Sequence, residues 1–421
     1  MIGHLVEGFD FLVAQSPAGM ITLYWFVLLF EIPRYGVAFL VAALFIRGRT
    51  RSSGPLTWKG RLSVIIAGHN EEKAIERCVR SLWEQSRKPD EIVVVSDGST
   101  DGMVRVLRTL QREGLVQKVH STDLRAGKAA AVNLAEQLSS GDVVVNVDCD
   151  CSFDRHALKE IVSPFSSPAI GAVAGNILIR HQERSLWTSF QAIEYLVSIS
   201  LGKRAQDMVG LVSCASGAFS AFRKSAIESV GGLDAGGGED LDVTLRLRKA
   251  EWAIGFAHEA ICYTDPPNSA RALVKQRFRW ERDAIRLRYR KHGALMNPFS
   301  RSFKPLELFH EMEFLLLNVV AALALPFYFF WMFATYGDLS IPILLGAQCG
   351  LMLFDFVLFL LAAWATPKAQ ALPLVPYLLG YSLFFNNFLR FVRLLAYGQE
   401  WVFRSSYQDN YVPDKVHKVR E

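Results

Sequence analysis

Residues 142–150 read DVVVNVDCD, and this stretch decides the fold that we predict for the middle of the chain. Its apolar run, DVVVNV (142–147), is typical of a strand buried on both faces, and two carboxylates, Asp148 and Asp150, follow closely. Similar runs precede it, separated by helical periods, which predicts an α/β domain with a mostly parallel sheet. Ligands bind beyond the carboxyl ends of the strands in such sheets, so we expect a site after Val147.

The elements before this stretch are predicted from short β-branched runs and from helical spacing. The predicted strands are LSVIIA (62–67), EIVVVS (91–96) and VQKVH (116–120). The predicted helices run through Leu82 and Trp83, from about Asp101 to Arg112, and onward from Gly127. Asp97 follows one strand as Asp148 follows another, so both carboxylates are expected at one edge of the sheet.

Asp148 and Asp150 are candidate metal ligands. Residues two apart in an extended segment point the same way, so both carboxylates could bind one hard cation. Mg²⁺ and Mn²⁺ prefer oxygen ligands and usually keep waters or substrate phosphates. A lone D-x-D is common, but its place after a strand and downstream of Asp97 favours a Mg²⁺ or Mn²⁺ site.

Asp97 and Lys128 have both a structural and a functional interpretation. In DGSTD (97–101), capping of the next helix explains Ser99 or Thr100 but does not require Asp97 at the strand end. An exposed lysine is the commoner explanation for Lys128. That residue begins a helix, however, and helix N-termini favour anions, which predicts a phosphate or nucleotide contact.

Two glycine-containing motifs follow. The turn at Gly217, within SGAF (216–219), is either a bend in a strand or a close approach of the backbone to a sugar ring. GGGEDLD (236–242) opens a helix, where acidic residues suit the helix dipole. The three glycines indicate in addition a flexible approach to a ligand. Asp240 would then act as general base if an acceptor hydroxyl came within hydrogen-bond reach.

Gln276, Arg279 and Trp280 are spaced i, i+3 and i+4, so they share a helix face. A basic amphipathic helix on a membrane surface would explain the many arginines around them. Arg279 and Trp280 equally suit diphosphate binding and stacking on a sugar.

The composition indicates a membrane protein. Apolar residues make up 51% of the chain, and they concentrate at 19–46 and 311–395, as expected where lipid is the solvent. The net charge of +5 arises from basic residues that cluster beside these runs. We interpret them as membrane-orienting charge and expect no nucleic-acid partner.

The first apolar segment, 19–46, is long enough to span a membrane, although Glu31, Pro33 and Arg34 interrupt it. Either the helix is kinked with a tolerated polar cluster, or that cluster faces other protein. We favour the second because charges rarely face lipid. No small-residue cleavage site follows, which predicts an anchor, and the basic run 47–61 places the next domain in the cytoplasm.

Three further apolar stretches lie near 312–334, 341–363 and 371–395, after an expected interfacial connector at 294–310. Three full spans would place the basic tail outside, against the charge rule. A re-entrant or interfacial segment among them would return the tail to the cytoplasm, and both alternatives stay open.

The chain is therefore divided into an N-terminal anchor and basic linker (1–60), an α/β domain (61–290), interfacial and C-terminal membrane segments (291–399) and a basic tail (400–421). Six scattered cysteines lack metal-ligand or disulfide spacing, which favours a reduced, cytosolic setting for the middle region.

Taken together, the motifs resemble processive members of glycosyltransferase family 2, which include cellulose, hyaluronan, chitin-oligosaccharide and poly-N-acetylglucosamine synthases. The resemblance covers about 61–290 and depends on the order of DGS (97–99), DCD (148–150), ED (239–240) and QRFRW (276–280). It implies a Rossmann-like GT-A fold and a nucleotide-sugar donor, usually a UDP sugar. It also implies a hexosyl- or N-acetylhexosaminyltransferase in a bacterial inner or plasma membrane, with its catalytic domain in the cytoplasm.

The complete predicted site follows from these motifs and the resemblance. The catalytic base would be Asp240. The nucleotide-sugar-binding residues would be His69, Asn70, Glu71, Asp97, Lys128, Asp148, Gln276 and Arg279. The acceptor would bind near Gly217, Glu239 and Trp280, and the metal would bind at Asp150 and Asp148.

The sequence departs from the family pattern at two positions. Ser96 stands where many members have a second Asp, and Gly238 stands where several have Thr. Neither difference removes an essential charge, although donor contacts near Ser96 stay open.

The resemblance implies inverting, metal-dependent, processive transfer that gives a β-linked polysaccharide at the bilayer, coupled to its export. Asn386 and Asn387 would help to line the export path, with possible partner subunits. The alternative is a single-transfer enzyme that glycosylates a polyprenyl phosphate or another lipid. A non-catalytic membrane component would have degraded acidic motifs, and here these motifs are intact. A dinucleotide-dependent enzyme is disfavoured because the first strand is not followed by a GxGxxG motif.

Overall fold

The computed structural model describes residues 2–33, 58–234 and 236–408. The basic run at 47–57, Arg34 and the tail beyond residue 408 lie outside the described residues, so the predictions made for them stay predictions. The described part contains one sheet with helices on both faces and a largely helical C-terminal region.

Eight strands form the sheet in the order β3-β2-β1-β4-β7-β6-β8-β5. They are β1 (Leu62–Gly68), β2 (Glu91–Asp97), β3 (Lys118–Thr122), β4 (Val143–Val147), β5 (Ser152–Phe153), β6 (Ile170–Ile179), β7 (Phe219–Arg223) and β8 (Ala253–Thr264). The α/β fold class is thus as predicted, and the third predicted strand begins two residues later than expected.

The prediction of a mostly parallel sheet holds for only part of the sheet. Strands β3, β2, β1 and β4 are parallel, as are β6 and β8. Strand β7 is antiparallel to both of its neighbours, and β5 is antiparallel to β8. An apolar run predicts that a strand is buried but not its direction, because direction depends on where the connecting chain re-enters the sheet.

The α/β region contains the helices that were predicted through Leu82 and Trp83, from Asp101 to Arg112 and onward from Gly127, close to the expected bounds, together with helices that were not predicted. They are Ile75–Trp83, Met103–Arg112, Lys128–Leu138, Ala157–Val162, Leu186–Tyr195, Lys203–Met208, Lys224–Ser229, Glu239–Lys249 and Ala270–Ile285. The flanking helices are Ile2–Val13, Pro17–Leu23, Pro305–Phe314, Ala321–Tyr336, Ser340–Ala365, Leu378–Gly380 and Asn386–Phe403. Several are joined by single π-helical turns, such as Leu196–Gly202 and Arg286–Lys291.

The sheet is covered on both faces because alternate residues of each strand point to opposite sides. Val64 and Ile66 pack into a core with the helices that begin at Ile75 and Met103. Ile65 packs on the other face, with the helix Lys128–Leu138. Near-continuous apolar strands are therefore required, as the sequence indicated.

One continuous helical run, Pro305–Ala365, is long and apolar enough by length and composition to cross a membrane, and it is the one such run among the described residues. Only 22% of its most apolar window is buried. At Gly337 the backbone adopts φ +53°, which divides the run into two parts that match the predicted stretches 312–334 and 341–363. The predicted third stretch begins instead with a 3₁₀ segment, Leu372–Tyr377.

The polar residues of the apolar segments face other protein. Glu31 is 3% exposed and forms an ion pair with Arg390, as favoured for this interrupted segment. Asn386 donates to Asp355 at 3.0 Å. These bonds connect helices that are distant in sequence, and the export path predicted along the asparagines stays a prediction.

All six cysteines are free thiols in this structure. Cys78, Cys149, Cys151 and Cys262 are buried in the core around the end of β4.

Candidate functional site

A pocket of about 230 Å³ lies beyond the carboxyl ends of β1, β2 and β4, and we call it the strand-end pocket. It is lined by Ala67, Gly68, His69, Glu71, Asp97, Arg125, Lys128, Ala131, Asp148, Cys149 and Asp150. Six of the predicted site residues are in this lining. The structure therefore brings together side chains from four separate segments of the sequence.

Asp97 is the last residue of β2 and is 4% exposed. Its two carboxylate oxygens accept the main-chain N–H groups of Ala126 and Gly127, at 2.6 and 2.7 Å. These bonds tie the loop before the helix Lys128–Leu138 to the strand end. Asp97 thus shapes one wall of the strand-end pocket, a structural role that the motif alone does not indicate.

His69 and Asn70 have different positions. His69 lines the strand-end pocket, and its Nδ1 lies 2.8 Å from the carbonyl oxygen of Asp97. Asn70 adopts φ +60°, and its Oδ1 accepts the main-chain N–H of Thr100 at 2.8 Å. Asn70 is outside the pocket lining, and in this structure it fixes the loop after β2.

Asp148 and Asp150 lie in a turn, in which the N–H of Cys151 donates to the carbonyl oxygen of Asp148 at 3.2 Å. The expectation of an extended segment is therefore wrong, although both carboxylates still line the strand-end pocket. Asp150 Oδ2 accepts the hydroxyl of Thr264 at 3.2 Å. The guanidinium of Arg180 donates to the carbonyl oxygen of Asp150 at 3.0 Å.

Negative charge accumulates in this pocket. Burial, together with Asp150, Asp148 and Asp101, raises the pKa of Glu71 to about 7. Burial and then Asp148 raise the pKa of Asp150. In both cases the carboxylate form is disfavoured, which is the electrostatic environment that a bound cation would relieve.

Among the described residues, no group of three or more His, Cys, Asp or Glu side chains is arranged to hold a metal ion. A hard cation that shares its shell with substrate phosphates needs only one or two protein carboxylates. Asp148 and Asp150 therefore fit a cation bound together with a substrate, rather than a closed protein site.

Lys128 joins two of the motifs. Its ammonium lies 2.6 Å from Asp148 Oδ1 and 3.7 Å from Glu239 Oε1. Burial raises the pKa of Glu239, and the charges of Lys128 and Arg279 act in the opposite direction. The DCD and GED motifs are thus neighbours in space.

Gly217 lies at the centre of this group. Its N–H donates to Asp240 Oδ2 at 3.1 Å. A Cβ at this position would lie 3.1 Å from the ammonium of Lys128 and 3.7 Å from both Asp240 Oδ2 and Glu239 Oε1. Close approach of the backbone to charged side chains explains the glycine.

The helix Ala270–Ile285 carries the QRFRW motif, as predicted. The Oε1 atom of Gln276 is buried and has no hydrogen-bond partner among the described residues. Trp280 is 38% exposed, and the guanidinium of Arg277 lies 4.5 Å from its ring centroid. Arg277 also pairs with Glu194 at 2.6 Å, so a residue inside the motif that the sequence did not distinguish orients the tryptophan.

Known proteins resemble this chain in the region that contains the strand-end pocket. Residues 63–231 match the model of glycosyl transferase family 2. This region of the chain is therefore similar to family 2 glycosyltransferases. The predicted resemblance is thus confirmed, and the matched region includes the strand-end pocket.

The chain is also similar to curated poly-β-1,6-N-acetyl-D-glucosamine synthases. It is 28% identical over 249 residues to one from Staphylococcus epidermidis, covering 59% of this chain and 58% of that protein. It is 30% identical over 245 residues to one from Staphylococcus aureus (strain COL), covering 58% and 57%. The chain thus spans less than two thirds of the length of these relatives.

The fold of the chain also matches that of a solved structure. A mannosyltransferase from Pyrobaculum calidifontis, solved in complex with GDP-Man and Mn²⁺, superposes with a TM-score of 0.60 at 21% identity. The match covers 83% of this chain and 99% of that chain. The predicted GT-A fold is thereby confirmed.

Proposed function

We propose that this chain transfers a sugar from a nucleotide-sugar donor to a growing β-linked polysaccharide at a membrane, with inversion at the anomeric carbon. The contact that carries the proposal is the ammonium of Lys128 between Asp148 and Glu239, since it joins the strand-end pocket to Asp240. Similarity to poly-N-acetylglucosamine synthases supports a UDP-linked N-acetylhexosamine donor.

The donor would bind in the strand-end pocket. The nucleoside would lie near His69 and Asp97, with Asn70 and Glu71 at its side. The N-terminus of the helix Lys128–Leu138 and the Lys128 ammonium suit the diphosphate, because both carry positive charge.

A second group of residues would hold the donor from the opposite side. The unpartnered Oε1 of Gln276 is available for a hydrogen bond from the donor, and the Arg279 charge already acts on Glu239 in this region. We propose that Arg279 stabilises the negative charge on the leaving diphosphate.

Asp148 and Asp150 would hold Mg²⁺ or Mn²⁺ together with the donor phosphates. The raised pKa of Asp150, caused by burial and by Asp148, supports a cation there. When bound, the cation supplies positive charge that offsets the charge developing on the diphosphate.

Asp240 would be the general base. Its Oδ2 is held by the Gly217 N–H, and its carboxylate would take the proton of an acceptor hydroxyl. The acceptor oxygen would bond to the anomeric carbon as the bond to the diphosphate oxygen breaks on the opposite face. An α-linked donor would then give a β-linked product, and the nucleoside diphosphate would leave.

The acceptor would approach beside Gly217 and Glu239 and stack on the exposed ring of Trp280. The helical run Pro305–Ala365 supports membrane attachment. We propose in addition that elongation is processive and that the product is exported along the C-terminal helices, with partner subunits. The site would lie on the cytoplasmic face of a bacterial inner membrane. The domain boundaries at residues 60, 290 and 399 belong to the same proposal.

A second cavity favours one alternative function, single transfer to a lipid phosphate. It has a volume of about 810 Å³ and lies between the segment 178–184 and the segment 368–374, just after the apolar helix Ser340–Ala365. Arg180, which donates to the carbonyl oxygen of Asp150, also lines this cavity, so it adjoins the strand-end pocket. Its basic and apolar lining suits an anionic amphiphile.

The products of purified protein distinguish the two functions. The protein would be incubated with radiolabelled UDP-N-acetylglucosamine, Mg²⁺ or Mn²⁺, and membrane lipids with or without polyprenyl phosphate. A long polymer that forms without polyprenyl phosphate supports the proposal. A single lipid-linked sugar supports the alternative, and absence of transfer both from this donor and from other radiolabelled UDP sugars tested in the same way contradicts both.

A further inference from the structure

We propose that Lys203 is a positioning residue, which fixes the segment 211–217 so that the Gly217 N–H holds Asp240. The inference depends on the proposed function, in which Asp240 is the base. Lys203 contributes no atom to the lining of the strand-end pocket, so it would act through this segment alone.

Lys203 is a buried lysine bound to uncharged acceptors. It is 7% exposed and begins the helix Lys203–Met208. Its ammonium donates to the carbonyl oxygen of Cys214 at 2.9 Å and to the hydroxyl of Ser216 at 2.5 Å. Burial of an ammonium group without a carboxylate at contact distance costs folding free energy. The two hydrogen bonds of Lys203 fix the backbone from Cys214 to Ser216.

The segment 211–217 has no regular secondary structure, and side chains from two helices hold it. The Ser213 N–H donates to Gln206 Oε1 at 3.0 Å. The Ala215 N–H donates to Thr244 Oγ1 at 3.0 Å, and that hydroxyl donates to the carbonyl oxygen of Asp240 at 2.6 Å. The segment is thus attached both to the helix of Lys203 and to the helix that carries Asp240.

The next residue along this segment completes the connection. Ser216, bound by Lys203, is followed by Gly217, which donates to Asp240 Oδ2 at 3.1 Å. A Cβ at Gly217 would lie only 3.1 Å from the Lys128 ammonium. A displacement of the segment by about 1 Å would therefore disturb Asp240 and Lys128 together, and misplacement of that size can lower a rate about 100-fold.

The electrostatic surroundings of Lys203 agree with this arrangement. Burial lowers the pKa of Lys203, whereas Cys214 and Asp240 act to raise it. Burial, followed by Asp240, raises the pKa of the Cys214 thiol. Asp240 is therefore the carboxylate whose field reaches Lys203, although the direct bonds of Lys203 are to the segment 211–217.

The first experiment compares Lys203→Met with a matched control, Lys224→Met, in the full-length protein. Lys224 likewise donates to main-chain carbonyl oxygens, those of Ser139 at 2.6 Å and Glu136 at 3.4 Å. It follows the end of β7, which pairs with the beginning of β4 and so lies away from the strand-end pocket. We expect Lys203→Met to lower kcat for sugar transfer about 100-fold with the Kd for UDP changed less than about 3-fold. Lys224→Met should keep the wild-type kcat.

A milder variant and a structural measurement cover the case in which Lys203→Met folds poorly. Ser216→Ala removes one acceptor, and we expect it to lower kcat about 10-fold, with no further loss when combined with Lys203→Met. Hydrogen–deuterium exchange should be faster in the peptide 211–218 of both variants than in wild type.

The outcomes separate this inference from the proposed function. A normal kcat in Lys203→Met or Ser216→Ala, or unchanged exchange in 211–218, overturns the role of Lys203. If the wild-type protein transfers no sugar, the proposed function fails, and the exchange measurement still decides whether Lys203 holds the segment.

Discussion

The Lys128 ammonium lies 2.6 Å from Asp148 Oδ1 and 3.7 Å from Glu239 Oε1. A single side chain at a helix N-terminus thus joins the carboxylates after β4 to those that begin the helix Glu239–Lys249. Opposite charges at such distances stabilise one another strongly where water is partly excluded. In the proposed function, Lys128 would exchange its carboxylate partner for phosphate oxygens of the bound donor.

Asp240→Asn tests the proposed base. The amide keeps the hydrogen bond from Gly217 but cannot accept a proton, so we expect transfer to fall by about 10²–10⁴-fold with UDP affinity unchanged. Transfer of radiolabelled sugar and calorimetric titration with UDP measure the two quantities. Near-normal turnover would show that Asp240 is not the base.

Asp150→Asn tests the cation site. Loss of one carboxylate from the strand-end pocket should weaken Mn²⁺ binding in the presence of UDP about 10–100-fold and lower transfer in parallel. Electron paramagnetic resonance of Mn²⁺ follows binding directly. Glu84→Gln, at an exposed carboxylate just after the helix Ile75–Trp83, is the control and should bind Mn²⁺ normally.

Gly217→Ala tests the crowding between Lys128 and Asp240. The added methyl would lie 3.1 Å from the ammonium, which forces a shift of the backbone or of the lysine. We expect a fall in kcat of about 10-fold or more. Gly293→Ala, where a Cβ meets nothing within 4 Å, should have wild-type kinetics, and equal effects of the two variants would argue against a special role for Gly217.

Trp280→Ala tests the acceptor contact. Removing the half-exposed ring should raise the KM for an oligosaccharide acceptor about 10-fold and shorten the polymer, with the KM for the donor unchanged. Trp401→Ala is the control because Trp401 is 64% exposed and far along the chain. Equal donor and acceptor effects in Trp280→Ala would contradict stacking on the acceptor.

Glu91→Gln tests the electrostatics of the sheet away from the pocket. Burial would raise the pKa of Glu91, but hydrogen bonds from Ser63 and Ser140 outweigh it and lower the pKa to about 2. A carboxylate with a lowered pKa stabilises the folded state above its ordinary pKa, and this contribution is lost as the pH falls towards 2. Wild type should therefore be about 1–3 kcal/mol more stable than Glu91→Gln at pH 7, with the difference shrinking below pH 4.

Thermal unfolding at pH 7, 4 and 3 measures that difference. A gap between the two proteins that stays constant over this range would mean that Glu91 acts through packing and not through its charge.

The sequence predicted local features well because they depend on neighbouring residues. The helix N-terminus at Lys128 and the helix face of Gln276, Arg279 and Trp280 follow from periodicity and capping. The structural roles of Asp97 and Asn70 were not predicted, since both depend on loops that are close only after folding. No sequence signal distinguished Arg180 or Lys203, because residue type and spacing do not show whether a single Arg or Lys is buried or which groups it binds.

By itself, the sequence determined the burial of β1, β2 and β4, the order of the four motifs and the apolar character of the C-terminal helices. These properties depend on residue type and short-range spacing, which can be read from the sequence without the structure. Only the tertiary structure decided that β7 runs antiparallel, that Asp148 and Asp150 share a turn, and that Lys128 joins them to Glu239 beside Asp240. Strand direction and contacts between distant side chains arise from how the chain closes on itself, and local sequence does not encode that closure.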